Sequence, residues 1–280
     1  RAKSHGHDLG EGGLVVDDED AHLVDVVEGG WARRRGGAHV AIVTSGPAGT
    51  RSTEAGAPGE TAPMQRFVDL SHVITDGMET YPGLPTPRIG DHLTRTHAEE
   101  VYGPGVTFQI GMITMCSNTG TYLDVPFHRY AEGYDLCGLD LARVSSVDAL
   151  VVDVVGTTAI GAEVFDGLDV AGRAVLVRTD HSRRWGTPAY VERHPHLLAA
   201  AADVLVVGGA ACVGIDSLNI DSTDDARRPV HSILLAAGIP IVEHLTGLDQ
   251  LPPSGFTFTA VPPKLEGMGT FTVRAHAIVP

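Results

Sequence analysis

The densest run of side chains able to do chemistry is Ser117-Asn118-Thr119-Gly120-Thr121-Tyr122-Leu123-Asp124-Val125-Pro126-Phe127-His128. Side chains alternate between the faces of a strand, so Tyr122 and Asp124 share a face, and His128 follows four residues later, beyond a proline. Carboxylate oxygen and imidazole nitrogen are the donors that divalent metals take, and an Asp with a nearby His is half of such a ligand set. An Asp before a proline turn also occurs simply as a turn residue, and the spacing alone leaves both readings open.

A second group is Arg227-Arg228-Pro229-Val230-His231, followed by Glu243 at the end of the apolar run Ile239-Pro240-Ile241-Val242. A carboxylate ending a buried strand needs something cationic beside it. A metal or an arginine meets that need, and His231 at a helix start reads equally well as a hydrogen-bonded structural histidine. His5 and His7 lie between glycine-rich flanks and point to no organised site.

The elements that must position these residues are short and strand-rich. Candidate strands are 67–70, 107–117, 149–155, 174–179, 204–207, 213–216, 240–243, 256–261 and 272–278. Several are continuous apolar runs, the pattern of strands covered on both faces. Helical signals run from Pro188 to Ala202, opening on Thr187-Pro188, and from Val230 to Ala237, between Pro229 and Gly238. Strands and helices alternate in the middle and strands dominate the ends, which predicts an α/β or α+β layered domain with a mixed sheet. Residues 1–63 differ in texture, with an acidic run at Asp17–Asp20, a basic run at Arg33–Arg35 and few apolar runs. Most of that segment is expected to be disordered, as a flexible tail or a wrongly extended translation ahead of Met64, and the domain is expected to span 64–280.

Composition narrows the function. The 280 residues are 43% apolar, enough for a core, and carry a formal charge of −15, which disfavours a surface built for nucleic acid. No apolar stretch is long enough for a membrane span and no secretory leader is evident, so a cytoplasmic protein is expected. Cys116, Cys137 and Cys212 show no CxxC spacing and are expected to be reduced, buried and structural. GxSxG, P-loop, GxGxxG and HExxH patterns are all missing, which lowers serine hydrolase, nucleotide hydrolase, dinucleotide dehydrogenase and zincin readings.

Taken together, the spaced motifs resemble the cyclase family of metal-dependent hydrolases, which includes bacterial kynurenine formamidase and isatin hydrolase. Asn118–His128 is similar to its His-x-Gly-Thr-His-x-Asp-x-Pro-x-His pattern. Asp69-Leu70-Ser71, Tyr81-Pro82-Gly83, Val213–Asp216, Pro229-x-His231, Ile239–Glu243, Leu251-Pro252, Gly255–Ala260 and Val273-Arg274-Ala275 also fit. The resemblance covers essentially all of 64–280. It implies a layered β/β/α, swivelling-domain-like fold and a homodimer or homotetramer. It also implies a metal-dependent hydrolase of a small amide, lactam or ester, on the pattern of arylformamidases and tryptophan catabolism. A degenerate ligand-binding member, or a lyase, isomerase or cyclase on the same site, is the alternative.

By the resemblance Asp124 corresponds to a bridging aspartate, His231 and Glu243 to further metal ligands, and His128 to a proton-transfer residue. Asn118 and Tyr122 stand where the pattern has histidines, and neither is a ready zinc ligand. One divalent metal is therefore expected, zinc or manganese, on Asp124, His231 and Glu243. Tyr122 is expected to donate to an oxyanion; Asn118, Thr121, His181 and Trp185 are candidates for supporting or substrate-binding roles.

Overall fold

In the computed structural model, the described residues are 65–280 together with Val26–Val27 and Trp31–Ala32. The chain divides into two units, Arg1–Glu60 and Thr61–Pro280. In the first, β1 (Val26–Val27) pairs antiparallel with β2 (Trp31–Ala32). The expected disorder of residues 1–63, with its charge runs and its two histidines, lies outside the described residues.

The second unit contains β3 (Arg66–Asp69), β4 (Arg88–Leu93), α1 (Arg95–Tyr102), β5 (Ile110–Thr114), β6 (Tyr122–Asp124), β7 (Val147–Asp153), β8 (Ala159–Ile160) and β9 (Ala174–Arg178). It continues with β10 (His196–Leu197), α2 (Ala199–Val207), β11 (Cys212–Ile215), α3 (Pro229–Ala236), β12 (Ile241–Glu243), β13 (Ser254–Thr259), β14 (Thr270–Thr272) and β15 (His276–Val279). Nine strands form one mixed sheet in the order β14-β6-β12-β11-β9-β7-β13-β15-β3. The central four, β12, β11, β9 and β7, are parallel, and the flanking pairs are antiparallel. Strands β9 and β11 are the apolar runs expected to be covered on both faces, and all of their residues but Arg178 are buried. One apolar cluster, with Leu123, Val242 and Phe258, packs between parts of this sheet. The other, with Ile241, Ile215, Leu205 and Leu234, joins its opposite face to α2 and α3. This is the α/β fold with a mixed sheet that the sequence predicted.

Four stretches differ from expectation. The run 204–207 is the last turn of α2 rather than a strand, because a short apolar run carries no period of its own. It continues the alanine-rich Ala199–Ala202, and Ala201, Ala202 and Leu205 form its buried side. The helix expected over Pro188–Ala202 forms only at its end, where Ala199–Ala202 open α2. Pro195 lacks an amide hydrogen and biases His194 away from helical geometry, so a single 3-10 turn at Pro188–Tyr190 gives way to β10, which pairs with β8. The run 272–278 is split between β14 and β15, and 107–117 contributes only β5. All three cysteines are free, but only Cys212 is buried; Cys116 and Cys137 are half-buried.

Candidate metal centre

The site lies at the carboxyl ends of the parallel strands, the usual place for a ligand in such a sheet. Antiparallel register puts Tyr122 opposite Glu243 and Asp124 opposite Ile241, and β14 on the other side puts Thr270 opposite Asp124. Tyr122, Asp124, Glu243 and Thr270 therefore share a sheet face, the one on which α3 packs. That helix begins at Pro229 and carries His231 in its first turn. Gly120, at φ +68, turns the chain into β6. Gly269, just before β14, comes so close to the His128 backbone that an added Cβ would overlap its nitrogen. Only a glycine lets the two segments meet there.

His231 is held by Asp221, a residue that the sequence did not single out. The Asp221 carboxylate accepts from the Val230 and His231 amides at 2.7 and 2.9 Å, capping α3, and its Oδ2 meets His231 Nδ1 at 2.7 Å. With Nδ1–H donated to Asp221, His231 Nε2 keeps its lone pair for a cation. That nitrogen lies 3.6 Å from Asp124 Oδ2 and 3.7 Å from Glu243 Oε1. Asp221→Asn is expected to weaken metal binding by about 10–100-fold, read by competition with a chromogenic chelator, because it removes the acceptor that sets this tautomer.

The other atoms are accounted for differently. Asp124 Oδ1 accepts from Thr270 Oγ1, whose oxygen also faces His128 Nδ1 at 2.7 Å. Asp124 Oδ2 is fully buried and has no hydrogen-bond partner among the described residues. Glu243 is more fully engaged: Oε1 accepts from the Ile220 amide at 2.6 Å, and Oε2 accepts from Tyr122 Oη at 2.5 Å and more weakly from Asn219.

Three carboxylates thus surround one imidazole in a buried space. Burial alone would lower the His231 pKa, but Glu243, Asp124 and Asp221 overcome it and raise the pKa to about 10. Burial pushes Glu243 up to about 7, against the pull of His231. Burial and the neighbouring carboxylates raise Tyr122 well above its usual range, so the phenol keeps its proton and donates a hydrogen bond to Glu243. A pocket with more buried negative than positive charge attracts a cation. An orphaned carboxylate oxygen facing an imidazole nitrogen fits a divalent metal, and the mixed oxygen and nitrogen donors suit zinc or manganese. Asp124, His128 and His231 each offer an atom within 4.8 Å of the others, so His128 also lies within reach of the group.

The expected residues do not all converge. His231, Glu243, Tyr122, His128 and Asn118 line one cleft of about 370 Å³, and Asp124 is fully buried behind its wall, 3.6 Å from His231 Nε2. Thr121 sits behind it, donating to the His244 carbonyl at 2.6 Å and accepting from the His72 amide at 3.1 Å. Trp185 is not on the cleft wall; it stacks on His72 at 4.0 Å between ring centres and meets His244 edge-on at 5.4 Å. His181 is buried, with Nε2 on the Tyr190 carbonyl at 2.7 Å. A second cavity of about 420 Å³, lined by Arg143, Ala211 and Ile239 near the amino ends of β11 and β12, has no histidine, cysteine or glutamate in its wall.

The sequence model described as "Putative cyclase" matches residues 68–222, more than half of the chain. The chain belongs to the putative cyclase family. Among its relatives, a kynurenine formamidase of Bacillus cereus is 28% identical over 211 residues, covering 75% of this chain and 95% of that protein. Kynurenine formamidase of Bacillus anthracis is 27% identical over 212 residues, covering 75% and 96%. Cyclase-family architecture is also shared with solved structures. A potential metal-dependent hydrolase with cyclase activity superposes with a TM-score of 0.64 at 24% identity, over 78% of this chain and 99% of that one. Isatin hydrolase A from Labrenzia aggregata gives 0.65 at 23% identity, over 77% and 94%.

Proposed function

We propose that this cyclase-family chain is a metal-dependent hydrolase of a small amide, lactam or ester, with an aryl formamide as the first substrate to try. The observation that carries the reading is the buried, partnerless Asp124 Oδ2 facing the Nε2 of His231, which lines a substrate-sized cleft. The kynurenine formamidase relatives support hydrolysis of a carbon–nitrogen bond. Asp124, His231 and Glu243 would hold one zinc or manganese ion, which when bound supplies Lewis acidity for water activation and carbonyl polarisation. His128 is the proton carrier. Its Nδ1–H donates to Thr270, whose own hydroxyl donates to Asp124, and this leaves Nε2 free to take a proton and return it to the leaving group. Tyr122 is assigned to positioning Glu243, because its hydroxyl hydrogen is already committed there. Asn118 at the cleft wall is available for substrate contact. A small-molecule substrate and a cytoplasmic setting belong to the same reading; no described helix is long and apolar enough to cross a membrane.

The test is hydrolysis of formanilides, lactams and lactones by zinc- or manganese-loaded protein in H₂¹⁸O. Water oxygen appearing in the released acid is expected. Turnover without incorporation would mean a lyase, isomerase or cyclase, and binding without turnover would mean a non-catalytic relative.

Self-association is proposed through the β4–β5 ribbon, a separate two-stranded sheet. Ile89, Ile110, Met112 and Ile113 are exposed on it, and Ile89 pairs with Ile113 across the strands. An isolated ribbon of this kind is marginal in water and its apolar surface calls for cover. A homodimer or homotetramer is expected by light scattering, with the double variant Met112→Asp/Ile113→Asp reduced to the monomer mass. A monomeric parent protein would contradict the assignment.

A further inference from the structure

The mouth of the cleft carries a charge that neither the metal group nor the proposed hydrolysis uses. Arg129 and Arg228 both line it, together with Tyr81 and Leu84. Each guanidinium is anchored by neutral acceptors. Arg129 donates to Ser232 Oγ at 3.2 Å and to the Arg227 carbonyl at 3.3 Å, and Arg228 donates to the Ser222 carbonyl at 2.8 Å. The neighbouring Arg227 is committed to Asp225 at 2.8 Å, whereas neither Arg129 nor Arg228 has a carboxylate within ion-pair distance among the described residues. Their positions are also fixed by the backbone. Arg228 is the residue before α3, held at φ +51, a left-handed conformation that strains a non-glycine residue. Pro229 contributes by barring Arg228 from the ordinary helical region. In a chain of formal charge −15, two cations held at a cleft by neutral groups are unusual.

We infer that Arg129 and Arg228 form an anion subsite, and that the substrate is a small acyl compound carrying a carboxylate beside an apolar body. The inference rests on the hydrolase reading for the bond that is cut, but not for the recognition itself. Guanidinium forks bind carboxylates through paired, charge-assisted hydrogen bonds. Tyr81 and Leu84 offer the apolar part of the substrate a wall. A cation on the cleft floor would offset the buried carboxylates there, so an anionic substrate meets no net repulsion on entry.

The test compares formanilide with 2-, 3- and 4-formamidobenzoate, which differ from it by one carboxylate, on metal-loaded protein. At least one acid isomer is expected to be preferred in kcat/KM by about tenfold or more, mainly through KM. That preference should shrink by about tenfold in Arg228→Gln and in Arg129→Gln; the second has ordinary backbone geometry and covers a folding failure of the first. No preference for any acid isomer, or a preference that survives both substitutions, overturns the subsite while leaving hydrolysis standing. If no formanilide is hydrolysed, calorimetric titration with benzoate and benzamide decides separately. Benzoate binding that weakens in both variants keeps the subsite, and benzoate binding unaffected by them, or none at all, removes it.

Discussion

Asp124→Asn is expected to lower hydrolysis by roughly 10³-fold, to release the metal and to leave the metal-free protein less stable than the parent. Asparagine is isosteric, so its Oδ1 still accepts from Thr270. The other arm becomes a neutral amide facing His231 Nε2, 3.6 Å from the present oxygen, so the protonated imidazole of the metal-free protein loses one of its carboxylate partners. Burial opposes the Asp124 charge, but His128 and His231 outweigh it and hold its carboxyl below the usual range, so removing the charge breaks a buried ion pair. Function and stability should therefore fall together. Kinetics, metal content and calorimetric unfolding in chelator read the three effects. An asparagine variant that still hydrolyses substrate would remove Asp124 from the centre of the account.

The second large effect separates holding the metal from moving the proton. His128→Gln is expected to keep the metal and lose about 10²–10⁴-fold in kcat, the usual worth of a positioned acid–base group. Thr270 already occupies His128 Nδ1, at 2.7 Å, and ties it to Asp124 through one hydroxyl. Asp124, His128 and His231 nevertheless come within 4.8 Å of one another, so the alternative is concrete. If the glutamine variant loses metal and activity together, His128 is a ligand and Glu243, with both oxygens already hydrogen-bonded, is the bystander.

What was legible in the sequence was what a local pattern can encode. Period-two alternation placed Tyr122 and Asp124 on one face, the apolar run ending at Glu243 marked a buried carboxylate, and Pro229 marked the helix start that carries His231. Thr270 was not legible, because it meets Asp124 through strand register across 146 residues. Asp221 was hidden for a related reason: a loop aspartate shows its value only when α3 places two amides and an imidazole over it. Trp185 and His181, read as candidates for supporting or substrate-binding roles, lie in a group of rings with His72, Tyr190 and His244, a setting that residue type alone does not distinguish from a substrate wall. The same limit explains 204–207, where an apolar run of four fitted strand and helix equally and only the tertiary partner of Leu205 decided.

The most direct measurement is metal content by plasma mass spectrometry, on protein purified without a metal-affinity tag and re-equilibrated with zinc or manganese. About one ion per chain is expected in the parent protein, lost in His231→Gln and retained in His128→Gln. A parent protein that takes up no ion under these conditions would contradict the account, because the buried carboxylates around His231 would then be neutralised by its proton alone.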